Sequence, residues 1–207
     1  MLPGYRDDGG LMVPEGDYLI ARYLRRSLPD LDLAVKHCRN RGIVVQAGGN
    51  CGAWPMQLSL MFDAVYTFEP DPVNFTALAF NTVYMRNIVK MQAALGDVRG
   101  CIELNRMVKN CGAFYVEGKG LLPTLRIDDL ALPGCDLIYL DIEGTEMKAL
   151  RGAVKTIDAF APVVAFEDKG LGQRYGVEPG AVATMMHETF GYRVVAQANH
   201  DTIMVKA

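Results

Sequence analysis

Short apolar runs alternate with stretches of helical periodicity along most of this 207-residue chain. Five of the runs predict strands, at residues 43–47, 64–68, 88–93, 136–141 and 162–167. Helical spacing of apolar residues predicts helices over 53–62, 72–84, 145–153 and 178–190. Strands that alternate with helices of this length form βα units, so the pattern predicts a mostly parallel sheet.

Two final apolar runs, GYRVVAQ and DTIMVKA, are separated only by a short turn, which leaves no room for a helical crossover. These two strands are therefore predicted to be antiparallel. Near-continuous apolar strands such as DLIYL favour a sheet that is covered on both faces. The predicted fold class is α/β, a Rossmann-like, doubly wound, mostly parallel sheet with a C-terminal antiparallel hairpin. This architecture resembles that of class I methyltransferases.

The remaining segments are less regular. GDYLIARYLRRSLPDLDLAVKHCRN predicts one or two helices, interrupted at Pro29, that cover a sheet edge or close over a site. Residues 100–126 predict short strands or a hairpin, with GKG at 118–120 as a turn. With no repeat and no linker, the chain is interpreted as one domain over 1–207, with a helical cap over 1–40 and a Rossmann-like core over 41–207.

Composition narrows the choice of partners and compartment. The formal net charge of −3 makes a nucleic-acid partner unlikely. The sequence has no apolar stretch of bilayer-spanning length and no signal peptide, so no membrane association and a cytoplasmic location are expected. The cysteines are odd in number and lack a C-x-x-C pair, as is typical of free thiols; they are Cys38, Cys51, Cys101, Cys111 and Cys135.

The turn AGGNCG follows the first predicted strand of the sheet. In doubly wound sheets, ligands bind beyond the carboxyl ends of the strands, where the strand order reverses. Gly48, Gly49, Asn50 and Gly52 are therefore candidate cofactor-binding residues. A tight strand-to-helix turn with no ligand would give the same pattern.

A carboxylate at the end of the second strand strengthens the cofactor hypothesis. Glu69, followed by Pro70, could accept hydrogen bonds from both hydroxyls of a ribose, although a solvated turn acid is the alternative. The cofactor would then be NAD or S-adenosylmethionine. Asn50 or Cys51 stands where the dinucleotide motif G-x-G-x-x-G has its second glycine, so the turn suits S-adenosylmethionine, which has no phosphate.

The third strand is followed by AALGD, residues 93–97. Its small residues could lie along an adenine ring, with Ala94 against the ring and Asp97 reaching the exocyclic amine. An ordinary surface turn explains the same residues equally well.

Acidic residues gather after the fourth strand, where Asp141, Glu143 and Glu146 fall within six positions. Their repulsion calls for an opposing charge, which could be a sulfonium, an ammonium or a divalent cation. First-turn helix acids are the alternative for Glu143 and Glu146. No further ligand set is visible, so no metal site is predicted.

Two further residues are candidate bases. Glu167 ends the fifth strand in FEDKG, together with Asp168 and Lys169, and could deprotonate an acceptor hydroxyl; a polar loop is the alternative. His200 precedes the last strand, although a lone histidine is more often structural. Trp54 and Tyr18 could line an acceptor pocket, with buried packing as the alternative for both.

Several motifs together resemble the FkbM family of S-adenosylmethionine-dependent methyltransferases. They are VVQAGGNCGAWP, FEPDPVNFTALAFN, LPTLRIDDL, LIYLDIEGTEMKALRGA, PVVAFE and the closing GY-to-DTIMV segment. The resemblance implies methyl transfer to a hydroxyl oxygen of a sugar or a natural-product-like small molecule.

By the same resemblance, Gly48, Asn50 and Gly52 would lie along the amino-acid part of the cofactor, and Glu69 would hold the ribose. Asp141 would lie near the reacting centre, with Glu143 beside it. The family usually has an acid at the end of the first strand, where this chain has Gln46. A cofactor-binding domain without chemistry and an NAD-dependent oxidoreductase are the alternative functions. The sequence does not indicate an oligomeric state.

Overall fold

The computed structural model describes residues 2–16, 20–106 and 114–207, so Tyr18 and Cys111 lie outside the described residues. In chain order the elements are β1 (Tyr5–Asp7), β2 (Met12–Pro14), α1 (Ile20–Val35), β3 (Ile43–Ala47), α2 (Ala53–Ser59), β4 (Ala64–Phe68), α3 (Pro72–Asn81), β5 (Ile88–Met91), β6 (Ala94–Leu95), β7 (Gly100–Arg106), β8 (Phe114–Leu125), β9 (Leu137–Leu140), α4 (Glu146–Arg151), α5 (Val154–Phe160), β10 (Val163–Glu167), α6 (Ala181–Phe190), β11 (Tyr192–Ala198) and β12 (Asp201–Lys206). Short 3-10 helices lie at Ile127–Leu130 and Leu171–Tyr175.

A seven-stranded sheet forms the centre, in the order β5-β4-β3-β9-β10-β12-β11. The neighbours among β5, β4, β3, β9 and β10 are parallel, whereas β12 is antiparallel to both β10 and β11. The predicted α/β fold with a C-terminal antiparallel hairpin is therefore confirmed. The strand order reverses between β3 and β9, which is where a doubly wound sheet forms its ligand crevice.

Alternate residues of the central strands belong to two separate cores, as the two-residue period of a strand requires. Val45, Ile138 and Phe166 pack in the core that includes residues of α4, α5 and α6. Val44 and Tyr139 pack in the opposite core, which includes residues of α1 and α2. The sheet is thus covered on both faces, as its apolar strands predicted.

The N-terminal segment differs from the predicted helical cap. Residues 5–14 form an antiparallel hairpin of β1 and β2, with Gly9 and Gly10 at positive φ in its turn. The hairpin docks on α3, because the Asn81 side chain bonds both the N–H and the carbonyl of Met12 at 2.9 and 2.8 Å. One helix, α1, follows, which is one of the two predicted arrangements, and Pro29 lies inside it without interrupting it.

Packing explains why Pro29 does not end α1. Leu31, Ala34 and Val35 come after the proline and are buried in the α1–α2 core, so tertiary burial opposes the helix-breaking tendency of proline. Since α1 contacts α2, β10 and the edge strand β11, it covers one face of the sheet beside that edge.

The 100–126 region forms the predicted hairpin, but the predicted turn at GKG is wrong. Gly118 and Gly120 lie inside β8, which pairs with β7 across a register shift between Ile102 and Glu103. Gly118 has a φ of +68°, and a Cβ at Gly120 would collide with the Ile102 backbone. Glycine therefore marks a bulge in a long strand here, not the end of one. β8 also pairs with β6, which completes a smaller three-stranded sheet.

Among the helices in the described ranges, none combines the length and apolar character that a bilayer span requires.

Candidate functional site

The turn between β3 and α2, residues 47–52, is called the glycine bend. The N–H groups of Gly48 and Gly49 both donate to the carbonyl of Phe68, at 3.1 and 2.9 Å. Gly48 has a φ of +86°, and a Cβ there would lie 2.0 Å from the carbonyl oxygen of Asp141. At Gly49, a Cβ would lie 2.5 Å from the Leu78 side chain. Close packing of the strand ends therefore accounts for these glycines without any ligand.

Glu69 is the carboxylate that joins the glycine bend to the end of β4. It is buried, and its Oε2 accepts the N–H of Asn50 at 2.7 Å, while its Oε1 accepts the N–H of Asp71 at 2.8 Å. Asn50 adopts a left-handed φ of 45°, which directs its N–H toward Glu69. A carboxylate oxygen can accept more than one hydrogen bond, so the fixed carboxylate can still receive ribose hydroxyls.

Gln46 lies beneath the glycine bend and is fully buried. Its Oε1 accepts the hydroxyl of Thr67 at 2.6 Å, across the β3–β4 pair. The Thr67 hydroxyl in turn lies directly below Gly49, 2.8 Å from where a Cβ would be. Within the described residues, the Nε2 of Gln46 has no hydrogen-bond partner. The amide thus ties two strands together without supplying a charge to the bend.

Ala94 and Asp97 lie at the start of the smaller sheet. Ala94 belongs to β6 and pairs with Thr124, and Asp97 lies in the bend that follows β6. Between them, the carbonyl of Gly96 packs against Gly152, where a Cβ would collide with it. This contact explains why position 152, in the segment LIYLDIEGTEMKALRGA, is a glycine. The adenine-binding role of Ala94 and Asp97 stays a prediction.

Three carboxylates converge at the ends of β9 and β10 and are called the acid group: Asp141, Glu143 and Glu167. One oxygen from each lies within 4.8 Å of the others. The Lys169 ammonium forms an ion pair with the buried Glu167. The sequence analysis named all three acids, but it did not predict that Glu167 meets the other two.

Burial and mutual repulsion perturb this group. The pKa of Asp141 is raised well above its usual value, first by burial and then by the charge of Glu167, and Lys169 opposes the rise. Burial also raises the pKa of Glu143 to about 7, again opposed by Lys169. A carboxylate with such a pKa can exchange a proton near neutral pH.

Glu146 holds the loop that carries Glu143. Its Oε1 accepts the N–H groups of Ile142 and Gly144 at 3.1 and 3.3 Å. Glu143 has a φ of 57° and Gly144 a φ of 102°, so the loop contains two left-handed residues. Burial raises the pKa of Glu146 to about 7. Glu146 is therefore a loop-supporting acid, in keeping with the first-turn role that was its alternative interpretation.

A cleft opens beside the acid group. Its lining includes Gly144, Glu167, Lys169, Leu171, Gly172 and Val182. Hard cations take carboxylate oxygens, and a sulfonium or ammonium is attracted to the same charges, so the arrangement is suited to a positive group.

The other candidates have structural contacts. His200 is exposed in the β11–β12 turn, where its carbonyl accepts the N–H of Asp168 at 2.8 Å. Its role as a base stays a prediction. Trp54 is buried edge-to-face against Tyr139, with ring centroids 4.8 Å apart, so packing explains it.

The arrangement can be compared with known proteins. Residues 121–194 match the family model of the methyltransferase FkbM domain. A search of curated proteins found no match. Among solved structures, the methyltransferase FkbM from Methylobacillus flagellatus KT superposes with a TM-score of 0.51 and 17% identity, over 80% of this chain and 43% of that protein. The chain thus spans less than half the length of that relative.

Two further structures share the fold over most of both chains. The ribosomal protein L11 methylase from Lactobacillus delbrueckii subsp. bulgaricus has a TM-score of 0.55 and 11% identity, covering 88% of this chain and 79% of its own. The precorrin-6y C5,15-methyltransferase from Geobacter metallireducens GS-15 has a TM-score of 0.51 and 11% identity, covering 85% and 87%. At such identities the likeness shows the fold.

The family model thus matches about a third of the chain, and the solved structures show the fold. The predicted resemblance is confirmed: the chain has the fold of class I methyltransferases and matches the FkbM methyltransferase family over residues 121–194.

Proposed function

We propose that this chain transfers a methyl group from S-adenosylmethionine to a hydroxyl oxygen of a small-molecule or saccharide acceptor. The observation that carries the proposal is the position of Glu69. Its carboxylate is held by the glycine bend at the carboxyl ends of the strands, where Asp141 also lies. The end of β4 thus offers acceptors for a ribose, and the end of β9, on the other side of β3, offers negative charge for a cation.

The residues present fit this cofactor. Glu69 would accept the ribose hydroxyls, and Asp141 would face the ammonium or sulfonium. When bound, S-adenosylmethionine supplies an electrophilic methyl group on a positively charged sulfur. The glycine bend lacks the second glycine of the dinucleotide motif, which argues against the alternative cofactor NAD.

We assign the role of base to Glu143 among the three carboxylates. Glu167 is already engaged by Lys169, whereas Glu143 has a pKa of about 7 and lies in the loop that borders the cleft. It can therefore accept the proton of an acceptor hydroxyl near neutral pH, with an expected contribution of about 10²–10⁴ in rate. Holding the hydroxyl oxygen in line with the methyl group accounts for several further kcal/mol, on the order of 7 or more.

The proposed acceptor class rests on the FkbM match, the carboxylates and the overall charge. Hydroxyl-bearing sugars and small molecules are the acceptors that the family resemblance implies, and a carboxylate of the acid group can accept the proton of such a hydroxyl. A net charge of −3 disfavours a polyanionic nucleic acid.

Calorimetry tests the cofactor. S-adenosylmethionine and NAD would be titrated separately into the wild-type chain, Glu69→Gln and the exposed-acid control Glu188→Gln. We expect binding of S-adenosylmethionine only, weakened at least about 10-fold by Glu69→Gln and unchanged by Glu188→Gln, since one charged hydrogen bond contributes about 1.5–3 kcal/mol. No heat with S-adenosylmethionine, or tighter binding of NAD, would contradict the proposal.

A second assay separates an enzyme from a binding domain that lacks chemistry. The chain would be incubated with S-adenosylmethionine and a panel of sugars and hydroxylated small molecules, and S-adenosylhomocysteine would be measured by mass spectrometry. Cofactor binding without S-adenosylhomocysteine formation on any hydroxylated acceptor would favour the binding domain.

A further inference from the structure

The acid group contains a cation of its own. Lys169 follows β10 by two residues, and its ammonium is paired directly with an oxygen of Glu167. That pair is largely withdrawn from solvent, because the Glu167 side chain is 4% exposed and the Lys169 side chain 27%. The ammonium therefore contacts one of the three carboxylates whose oxygens lie within 4.8 Å of one another.

The charge of Lys169 acts on the whole acid group. The interaction between charges that are partly withdrawn from solvent is weakly screened, so one ammonium acts on more than the carboxylate it contacts. Lys169 lowers the pKa values of Asp141 and Glu143 against the opposing effect of burial, and Arg174 adds a smaller effect at Glu143. One ammonium thus reduces the repulsion among three carboxylates that lie close together.

The backbone around Lys169 is anchored, which limits its withdrawal from the site. The N–H of the preceding residue, Asp168, donates to the His200 carbonyl at 2.8 Å, and the Asp168 carboxylate accepts the N–H of Gly180 at 2.7 Å. Lys169 therefore extends from a fixed point on the rim of the sheet.

We propose that Lys169 is the resident cation of the acid group, occupying the position that a divalent metal would need to bind Asp141, Glu143 and Glu167 together. A metal ion bound to Glu167 would have to displace the ammonium and would meet its positive charge. One consequence rests on the proposed function: methyl transfer by this chain requires no divalent metal, because Lys169 supplies the positive charge.

Manganese titration tests this role without any acceptor or cofactor. Mn²⁺ would be titrated into the whole chain at neutral pH and free Mn²⁺ followed by electron paramagnetic resonance, for the wild type, Lys169→Met, Lys169→Arg and Lys148→Met. Lys148 is a matched control, since its ammonium lies over the Tyr175 ring at 4.9 Å instead.

We expect Lys169→Met to gain one Mn²⁺ site that is at least about 10-fold tighter than any in the wild type, because three carboxylates then lack a cation. Lys169→Arg and Lys148→Met should behave like the wild type. Adding Glu143→Gln to Lys169→Met should remove the gained site.

Two results would overturn the proposal. One is micromolar Mn²⁺ binding by the wild type that Glu143→Gln abolishes; the other is equal Mn²⁺ binding by the wild type and a folded Lys169→Met. Circular dichroism would verify folding, and Lys169→Gln replaces Lys169→Met if that variant does not fold. These outcomes are independent of the S-adenosylmethionine calorimetry, so either proposal can fail alone.

Discussion

The glycine bend and the acid group lie on the same rim of the sheet but are built in opposite ways. Backbone contacts define the bend, because Gly48 and Gly49 both donate to one carbonyl and pack against neighbouring atoms. The acid group is defined by side-chain charge, with pKa values raised by burial. The comparison indicates that the bend stabilises the fold, whereas burial of the acid group opposes folding, as expected for the catalytic role that we propose.

The largest effect is expected from Gly48→Ala. The added Cβ would meet the Asp141 carbonyl and the residue would be held at a φ of +86°, so the free energy of unfolding should fall by at least about 3 kcal/mol. Urea denaturation measures the change. Gly176→Ala is the matched control, since Gly176 has a φ of +73° with no atom within 4 Å of a Cβ, and should lose only about 1 kcal/mol. Equal losses would show that the bend is not tightly packed.

In contrast to Gly48→Ala, Glu143→Gln should lower turnover and should not lower stability. Turnover at saturating S-adenosylmethionine should fall about 10²-fold or more, because the base is lost, while stability at neutral pH is kept or increased as a buried charge is removed. Wild-type turnover should also fall as the pH drops below about 7, where Glu143 becomes protonated. Turnover unchanged in Glu143→Gln would shift the role of base to Glu167 or His200.

Glu143 and Glu146 should make the free energy of unfolding depend on pH. Burial raises the folded-state pKa values of Glu143 and Glu146 to about 7, above their ordinary value of 4.5. The folded state then binds protons that the unfolded state does not, so the free energy of unfolding should rise as the pH falls from about 8 to 5, by on the order of 2 kcal/mol. Urea unfolding at several pH values tests this, and Glu146→Gln should reduce the slope. Stability that falls steadily over this range would contradict the expected sign.

The smallest effect on stability should come from the hydrogen bond between Gln46 and Thr67, beneath the glycine bend. Thr67→Val removes the hydroxyl that donates to Gln46 and leaves a buried acceptor without its donor, so the free energy of unfolding should fall by about 1 kcal/mol. Thr184→Val, at an exposed helical position, should change it by less than about 0.5 kcal/mol. If Thr67→Val equals its control, the Gln46–Thr67 bond does not contribute to stability.

Much of the architecture could be predicted from local patterns. The five parallel strands, the closing hairpin and the helix starting at Pro72 follow from periodicity and capping, since Asp71 accepts the N–H groups of Val73 and Asn74. The N-terminal hairpin was missed because β1 and β2 have three residues each, too few to show a period.

The sequence by itself determined the order of the elements and which residue types end each strand, because the apolar period and the turn residues act over a few positions. Only the tertiary structure decided what those residues meet. It showed that Gly48 packs against Asp141, 93 positions later, and that Glu167 joins Asp141 and Glu143 with Lys169 as their counter-charge. Such contacts depend on the pairing of β9 with β3 and β10, which a local pattern does not specify.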